Sequence, residues 1–211
     1  MRIGIVTEVS TKEKNAFVVA GLEKRGHEVH NLGMKGVEGE PELSYINTGF
    51  LAGVLLGSGS VDLVVGGCGT GQGFLNSAMQ YPGVSCGLIE TPLDAWLFVQ
   101  INGGNCVSLV LNKGFGWAGD VNIRFIFDRF FSVERGYGYP EHRKAPQQRA
   151  RVILGEVSAA THRPLPEIVQ GIDDVVARPA LTFPGVMEFL RMSTKSDNPV
   201  RAACERRFAS R

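Results

Sequence analysis

VDLVVGGCGTGQG, residues 61–73, decides the fold. Its first half, Val61–Gly66, is a short apolar run rich in β-branched residues. That is the signature of a strand buried on both faces. The glycines that follow allow a tight turn, and Gly71–Gln80 then starts a helix. The same alternation extends in both directions. Upstream, Arg2–Thr7 reads as a first strand. Ser10 and Glu13 form an S-x-x-E capping box opening a helix to about Arg25, which Gly26 ends. His27–Leu32 reads as the second strand, and Pro41–Leu56 is helical. Downstream, Val84–Ile89 and Asn105–Leu111 are the fourth and fifth strands. Pro92–Ile101, with proline in its first turn, and Ala118–Glu134 are helices. Five strands alternating with helices imply a three-layer, Rossmann-like α/β fold with a five-stranded parallel sheet. Pro146–Ala160 and Pro166–Ala177 are also helical. The reading is an α/β domain over residues 1–150 and a helical C-terminal extension over 151–211, packed on the core or on a partner subunit.

Composition narrows the function. A net charge of +1 argues against a dedicated nucleic-acid binder. No run reaches the roughly 18 apolar residues of a membrane span, and MRIGIVT lacks the apolar stretch of a signal peptide. The four cysteines, Cys68, Cys86, Cys106 and Cys204, form no CxxC pair, and no histidine cluster has zinc spacing. Reduced thiols in the cytoplasm fit this pattern best. After Glu134, thirteen Lys and Arg face eight Asp and Glu. This excess is either a solvated surface or a set of arginines that holds an anion.

The loop Gly66–Gly73 lies where ligands bind in an open α/β sheet, at the carboxyl ends of the strands. It lacks the GK[ST] of a P-loop, and Phe74 occupies the last position of a would-be G-x-G-x-x-G. What remains is a nest of backbone amides suited to an oxyanion. Cys68 at its start would be favoured as thiolate by those amides and by the helix N-terminus. A thiolate beside an oxyanion hole can remove a proton next to a carbonyl and hold the resulting enediolate. Cys86 and Cys106 fall inside strands and read as core. Cys204 has no assignment.

The CGTGxG loop after a third strand resembles the ribose-5-phosphate isomerase B / galactose-6-phosphate isomerase family. Gly26-His27-Glu28-Val29, Tyr81-Pro82-Gly83-Val84 and Asn102-Gly103-Gly104-Asn105 resemble further family segments in the same order, over roughly residues 1–150. The resemblance implies an aldose–ketose isomerase that needs no metal or organic cofactor. Cys68 would be the base, and Gly69, Thr70, Gly71 and Gly73 the oxyanion loop. Glu8 stands where the family has an Asp that touches the sugar. Asn102 matches a substrate-contacting asparagine. Lys113 replaces an arginine that holds the anionic group, and Arg143 and Arg149 would complete that site, often from a neighbouring subunit. A homodimer or homotetramer is therefore implied.

The departures bear on the substrate. The family's S-D-H-A-G is Thr7-Glu8-Val9-Ser10-Thr11 here, and its ring-opening histidine is Ile101. The H-D-P start of the fourth helix is Glu90-Thr91-Pro92. Lacking the usual ring-opening group, the chain suits a substrate that is already open, or one handled by Glu8 or Glu90. The branch acting on 4-deoxy-L-threo-5-hexosulose-uronate fits this. The chain resembles it in Asn31–Met34, Lys113–Trp117 and Gly138–Pro140, and shares the C-terminal extension. Ribose 5-phosphate or galactose 6-phosphate is the alternative substrate. A module that binds a sugar acid or nucleotide without catalysis is the second alternative. Phe115 and Trp117 either wall a pocket or pack. Phe125, Ile126, Phe130 and Phe131 are core or a dimer face. His27 and His30 read as edge or surface positions.

Overall fold

The computed structural model describes residues 1–209. Strands β1 (Arg2–Val6), β2 (Glu28–Asn31), β3 (Leu63–Cys68), β4 (Cys86–Ile89) and β5 (Cys106–Val110) form one parallel sheet in the order β2-β1-β3-β5-β4. The chain winds outward from β1 to β2, then crosses to β3 on the other side of β1. The winding reverses between β1 and β3, and that is where the crevice of a doubly wound sheet opens.

Successive residues of a strand face opposite layers, and β3 uses this fully. Leu63 and Val65 pack with Val18 and Leu22 of α1 (Asn15–Leu22) and with Ile123 and Phe127 of α5 (Gly119–Phe130). Val64 packs with Phe50, Leu51 and Val54 of α2 (Tyr45–Gly57) and with Phe74 of α3 (Gln72–Ala78). Helix α4 (Pro92–Leu97) joins the α1–α5 layer through Ala95.

Residue 150 falls inside a continuous helix, α6 (Lys144–Thr161), so no element ends there. Helices α7 (Leu165–Gly171), α8 (Asp174–Thr182), α9 (Val186–Ser193) and α10 (Pro199–Ala209) follow. Val169, Leu181, Leu190 and Ala203 are buried in the same cluster as Leu51 and Leu55 of α2. Asn47 ties the layers by donating from Nδ2 to the carbonyls of Val175 and Val176, each at 2.9 Å. Each fully buried Val or Leu contributes about 1.5–3 kcal/mol, so α7–α10 are part of the main core.

Three local details differ from the sequence expectation. Ser10 does not cap the first helix. The Glu8 carboxylate accepts from the Ser10 amide at 3.0 Å and makes Val9–Lys14 a 3-10 turn, so α1 begins at Asn15. Helix α2 begins at Tyr45, behind a capping box of Ser44 and Asn47. The run after Pro92 changes at Phe98 into a π-turn, Phe98–Asn102, which Gly103 ends in the left-handed region.

Candidate active site

Cys68 is the last residue of β3 and is buried. The glycines around it serve distinct purposes. A Cβ on Gly66 would lie 2.3 Å from the Phe74 ring, so this glycine lets α3 close over the strand. Gly71 has φ of +74°, and a Cβ there would meet Leu88 Cδ1 at 2.4 Å, so neither backbone nor space admits a side chain. The Gly71 amide donates to the Cys68 carbonyl at 3.2 Å and closes the turn. Ser108 Oγ donates to the Gly71 carbonyl at 2.5 Å from beneath. The loop is also clamped to the end of β5. The Cys68 carbonyl accepts from Leu111, and the Gly69 carbonyl accepts from Asn112 at 3.0 Å and Lys113 at 2.8 Å.

This clamping uses the loop's carbonyls and leaves amides free. Gly69 and Thr70 N–H have no partner among the described residues. Gly73, second in α3, has none within its helix either. Helix α3 has only seven residues, so its dipole adds little and the loop amides themselves make the anion-stabilising field.

Glu8 and Cys68 each lie two residues beyond the register pair Val6–Gly66, so both sit at the carboxyl end of the sheet. Its carboxylate is committed locally. It accepts from the Ser10 amide, from Ser10 Oγ at 2.5 Å and from Thr11 Oγ1 at 3.1 Å, and it is buried. It shapes the floor of the crevice. Lys113 Nζ pairs with Glu90 Oε2 at 3.2 Å at the same sheet end, and Asn122 Nδ2 donates to the Glu90 carbonyl at 3.0 Å. Lys14 Nζ lies 5.0 Å from the centroid of the Phe115 ring, which also packs against Phe17. Trp117 is 98% exposed and so does not wall a pocket among the described residues.

Asn102, Arg143 and Arg149 are elsewhere. Asn102 precedes β5, whereas Cys68 pairs with Val110 at that strand's other end. The five-residue strand alone spans roughly 17 Å. Around Asn102 the chain is stitched to the approach to α6. Gly136 N–H donates to the Val99 carbonyl at 2.7 Å, and Gly138 N–H to that of Gln100 at 2.8 Å. Arg143 ends the 3-10 turn Glu141–Arg143, and Arg149 lies in α6. Both are exposed and form no ion pair among the described residues. The candidate residues thus fall into two groups at opposite ends of the strands. One holds Cys68, its loop, Glu8, Glu90 and Lys113. The other holds Asn102, Arg143 and Arg149.

The thiols are not equivalent. Burial, then the neighbouring Cys86, pushes Cys106 well above the usual thiol range. Burial pushes Cys204 up to about 12. Both stay protonated near neutrality; of the other two, Cys86 opens β4 at the amino-terminal end of the sheet, and Cys68 is the one set beside the free loop amides. Among the described residues no three His, Cys, Asp or Glu side chains group closely enough to hold a metal ion.

Two residues missed at sequence level support the loop. Ser108 holds the Gly71 carbonyl. Asn112 donates from Nδ2 to the Ser10 carbonyl at 3.0 Å and flanks Gly69. A hydroxyl inside the apolar run CVSLVL and an asparagine just after it were the available signals.

The ribose/galactose isomerase family model matches residues 3–147. A crystal structure of a 4-deoxy-L-threo-5-hexosulose-uronate ketol-isomerase complexed with a tartrate is 36% identical. The match covers 97% of this chain and all of that one, with a TM-score of 0.91. A ribose-5-phosphate isomerase from Vibrio parahaemolyticus is 41% identical, covering 97% of this chain and 98% of that one, also with a TM-score of 0.91. The ribose-5-phosphate isomerase B of Clostridium thermocellum, 23% identical over 77% of this chain and all of its own length, shares the fold with a TM-score of 0.60. No curated protein matches. With the family model covering the sheet and its loop, and two relatives matching nearly end to end, the chain belongs to the ribose/galactose isomerase family and is a sugar isomerase of the aldose–ketose class.

Proposed function

We propose that the chain isomerises an open-chain sugar acid, 4-deoxy-L-threo-5-hexosulose-uronate, through an enediolate. The observation that carries the mechanism is Cys68 at the β1/β3 switch point, beside the unpartnered amides of Gly69 and Thr70. The Cys68 thiolate takes the proton from the hydroxyl-bearing carbon next to the carbonyl. The electron pair moves onto the carbonyl oxygen, where the loop amides stabilise it. The same thiol returns its proton to the former carbonyl carbon, and the oxygen-bound proton passes between the two enediol oxygens. A carbonyl group thereby moves by one carbon with no net redox change.

The substrate choice rests on Ile101 at the position of the family's ring-opening histidine. An apolar side chain cannot relay a ring proton, whereas an open-chain uronate needs no such relay. A carboxylate is also satisfied by few cations, and Lys113 is already shared with Glu90. Ribose 5-phosphate is the competing substrate, because the 41% identical relative carries that activity's name.

The full site requires a second copy to bring Asn102, Arg143 and Arg149 over the Cys68 loop. Helix α6 supports this homodimer. It buries no side chain, and Val152, Ile153, Leu154 and Val157 are 49–64% exposed. Four free cysteines support a reducing, cytoplasmic setting.

Proton NMR in D₂O tests the reading with each sugar supplied separately. Isomerisation and deuterium uptake with the uronate alone are expected. Turnover of ribose 5-phosphate alone removes the substrate assignment, and silence with both removes the catalytic one. Cys68→Ala is expected to lower turnover at least about a hundredfold, the usual share of a general base, with the melting temperature little changed.

A further inference from the structure

Cys86 and Cys106 are register partners on the neighbouring parallel strands β4 and β5. Directly paired residues of such strands point to the same face, with backbones about 4.8 Å apart. Cys106 also pairs with Val64 of β3, and all three side chains join the cluster that packs under α2 and α3. Cα atoms at strand spacing fall inside the range of roughly 4.4–6.8 Å that a disulfide spans.

The register is pinned just before both cysteines. The Asn105 and Cys106 amides donate to the Ser85 carbonyl at 3.0 and 3.1 Å. The Asn105 side chain accepts from the Ser85 amide and donates to the Gly83 carbonyl, each at 2.8 Å. This clamp keeps the two thiols face to face. Cys68 is out of their reach. It pairs with Val110, four residues along β5 from Cys106, a separation of roughly 13 Å.

Access to the two thiols is unequal. Cys106 is 0% exposed, whereas β4 is an edge strand and Cys86 is only partly buried. Beside it lies Met79, at the end of α3, whose Sδ accepts from the Cys86 amide at 3.2 Å. Burial, then a hydrogen bond with the Cys86 thiol, keeps Cys106 protonated. A reagent from solvent therefore meets Cys86 first. Cys106 needs no access of its own, because its reaction partner is the Cys86 sulfur.

We propose that Cys86 and Cys106 form a modification site, a dithiol that a hydroperoxide converts into a reversible disulfide without involving Cys68. With hydrogen peroxide, the Cys86 sulfur attacks one oxygen. An S–O bond forms, the O–O bond breaks and one water leaves. The Cys106 sulfur then attacks the sulfenic sulfur. The S–S bond forms, the S–O bond breaks, and a second water leaves with the Cys106 proton. Both sulfurs are oxidised, and the peroxide is reduced to two waters. Side chains of parallel neighbours stay near the strand spacing, wider than the ~3.8 Å between the Cβ atoms of a relaxed disulfide. Closing the bond must draw the edge strand inward, and a bond under that load is readily reduced. Any effect on turnover rests on the function proposed above; formation of the bond does not.

The test treats the folded full chain with hydrogen peroxide, using Cys68→Ala so that the loop thiol cannot compete. Remaining thiols are capped with N-ethylmaleimide in denaturant, and the chain is cut at Glu90, which lies between the two cysteines. Two of the three thiols left in this variant should be lost together. The peptides bearing Cys86 and Cys106 should be joined, and dithiothreitol should part them. Adding Cys106→Ser should abolish the bond and leave Cys86 as a sulfenic or sulfinic acid. Adding Cys86→Ser should slow the loss of the Cys106 thiol at least tenfold. Oxidation of Cys86 while Cys106 remains free would overturn the proposal, as would survival of both thiols or a bond from either one to Cys204. A bond that forms equally fast in the guanidinium-unfolded chain would also overturn it, because strand pairing would then play no part.

Discussion

Cys68 and Asn102 stand at opposite ends of β5: Cys68 pairs with Val110 at its carboxyl end, and Asn102 leads into its amino end. One chain cannot bring both to one sugar without unravelling the sheet. Two copies related by a twofold axis can, because each then supplies the half that the other lacks. Mixing Cys68→Ala with Asn102→Ala chains, each nearly inactive alone, should therefore restore activity. Random reassembly makes half of the dimers mixed, with one intact site in two, or roughly a quarter of wild-type activity. Assaying the mixture after co-refolding decides the matter. No recovery would place both residues in the same half-site and contradict the register.

Lys113 and Glu90 form a pair whose side chains are 62% and 42% exposed. Such pairs stabilise a fold by only about 0–1 kcal/mol, so their value must be sought in binding. If Lys113 holds the substrate's acid group, Lys113→Met should raise KM about tenfold, the equivalent of losing ~1.4 kcal/mol. Glu90→Gln should act in the opposite direction, since it frees Lys113 and removes a like charge near the anion. Steady-state kinetics on both variants, with melting temperatures as the control, read this directly. Equal shifts in the same direction would mean that the pair is structural.

Val152, Ile153 and Leu154 are consecutive in α6, so they point about 100° apart. Together with Val157 they spread apolar surface over more than one face of a helix none of whose residues is fully buried. A second copy that embraces the helix accounts for this pattern. Val152→Glu combined with Leu154→Glu should turn the proposed dimer into a folded monomer, because these side chains contribute little to the chain's own core. Light scattering should show the halved mass, and turnover should be lost with it. A dimer that persists would move the interface elsewhere.

Much of this architecture is legible in the sequence for a physical reason. A parallel strand buried on both faces must be a short, continuous apolar run, and VDLVVG and NCVSLVL are such runs; VSCGLI reads the same way although β4 is a half-buried edge strand. Cys68 and its loop are legible because a glycine-rich turn after such a strand has few structural alternatives. Other features depend on contacts distant in sequence. Ser10 and Glu13 match a capping box, but the Glu8 carboxylate reaches the Ser10 amide first and tightens the segment into a 3-10 turn. Helices α8 to α10 are obscured by Pro179, Pro184 and Pro199, and their apolar stripes gain meaning only against α2, where Leu181, Leu190 and Cys204 are buried. Glu8 follows β1 at the carboxyl end of the sheet, but its carboxylate is taken up by Ser10 and Thr11, a competition that no motif reveals.

The C-terminal helices should be the acid-sensitive part of the chain. Asp174 is held below the usual carboxylate range by hydrogen bonds from Arg207 and Arg178, and Glu205 by those from Arg191 and Arg201. Arg207 also donates to the carbonyls of Gln170 at 2.6 Å, Val169 at 3.1 Å and Ile172, which ties α10 to α7 and α8. A carboxylate whose folded pKa is depressed adds stability that is fully present above its unfolded value of about 4. That stability is lost as pH falls through the folded pKa. Between pH 6 and 8 these pairs should therefore leave stability unchanged. Below about pH 4, hydrogen exchange should quicken in α7, α8 and α10 before it does in β1 and β3. Asp174→Asn should flatten this acid dependence while changing stability at pH 7 only modestly, since the carboxylate lies at the surface. If exchange in the sheet accelerates first, the ion pairs do not set the acid limit and the core of the sheet does.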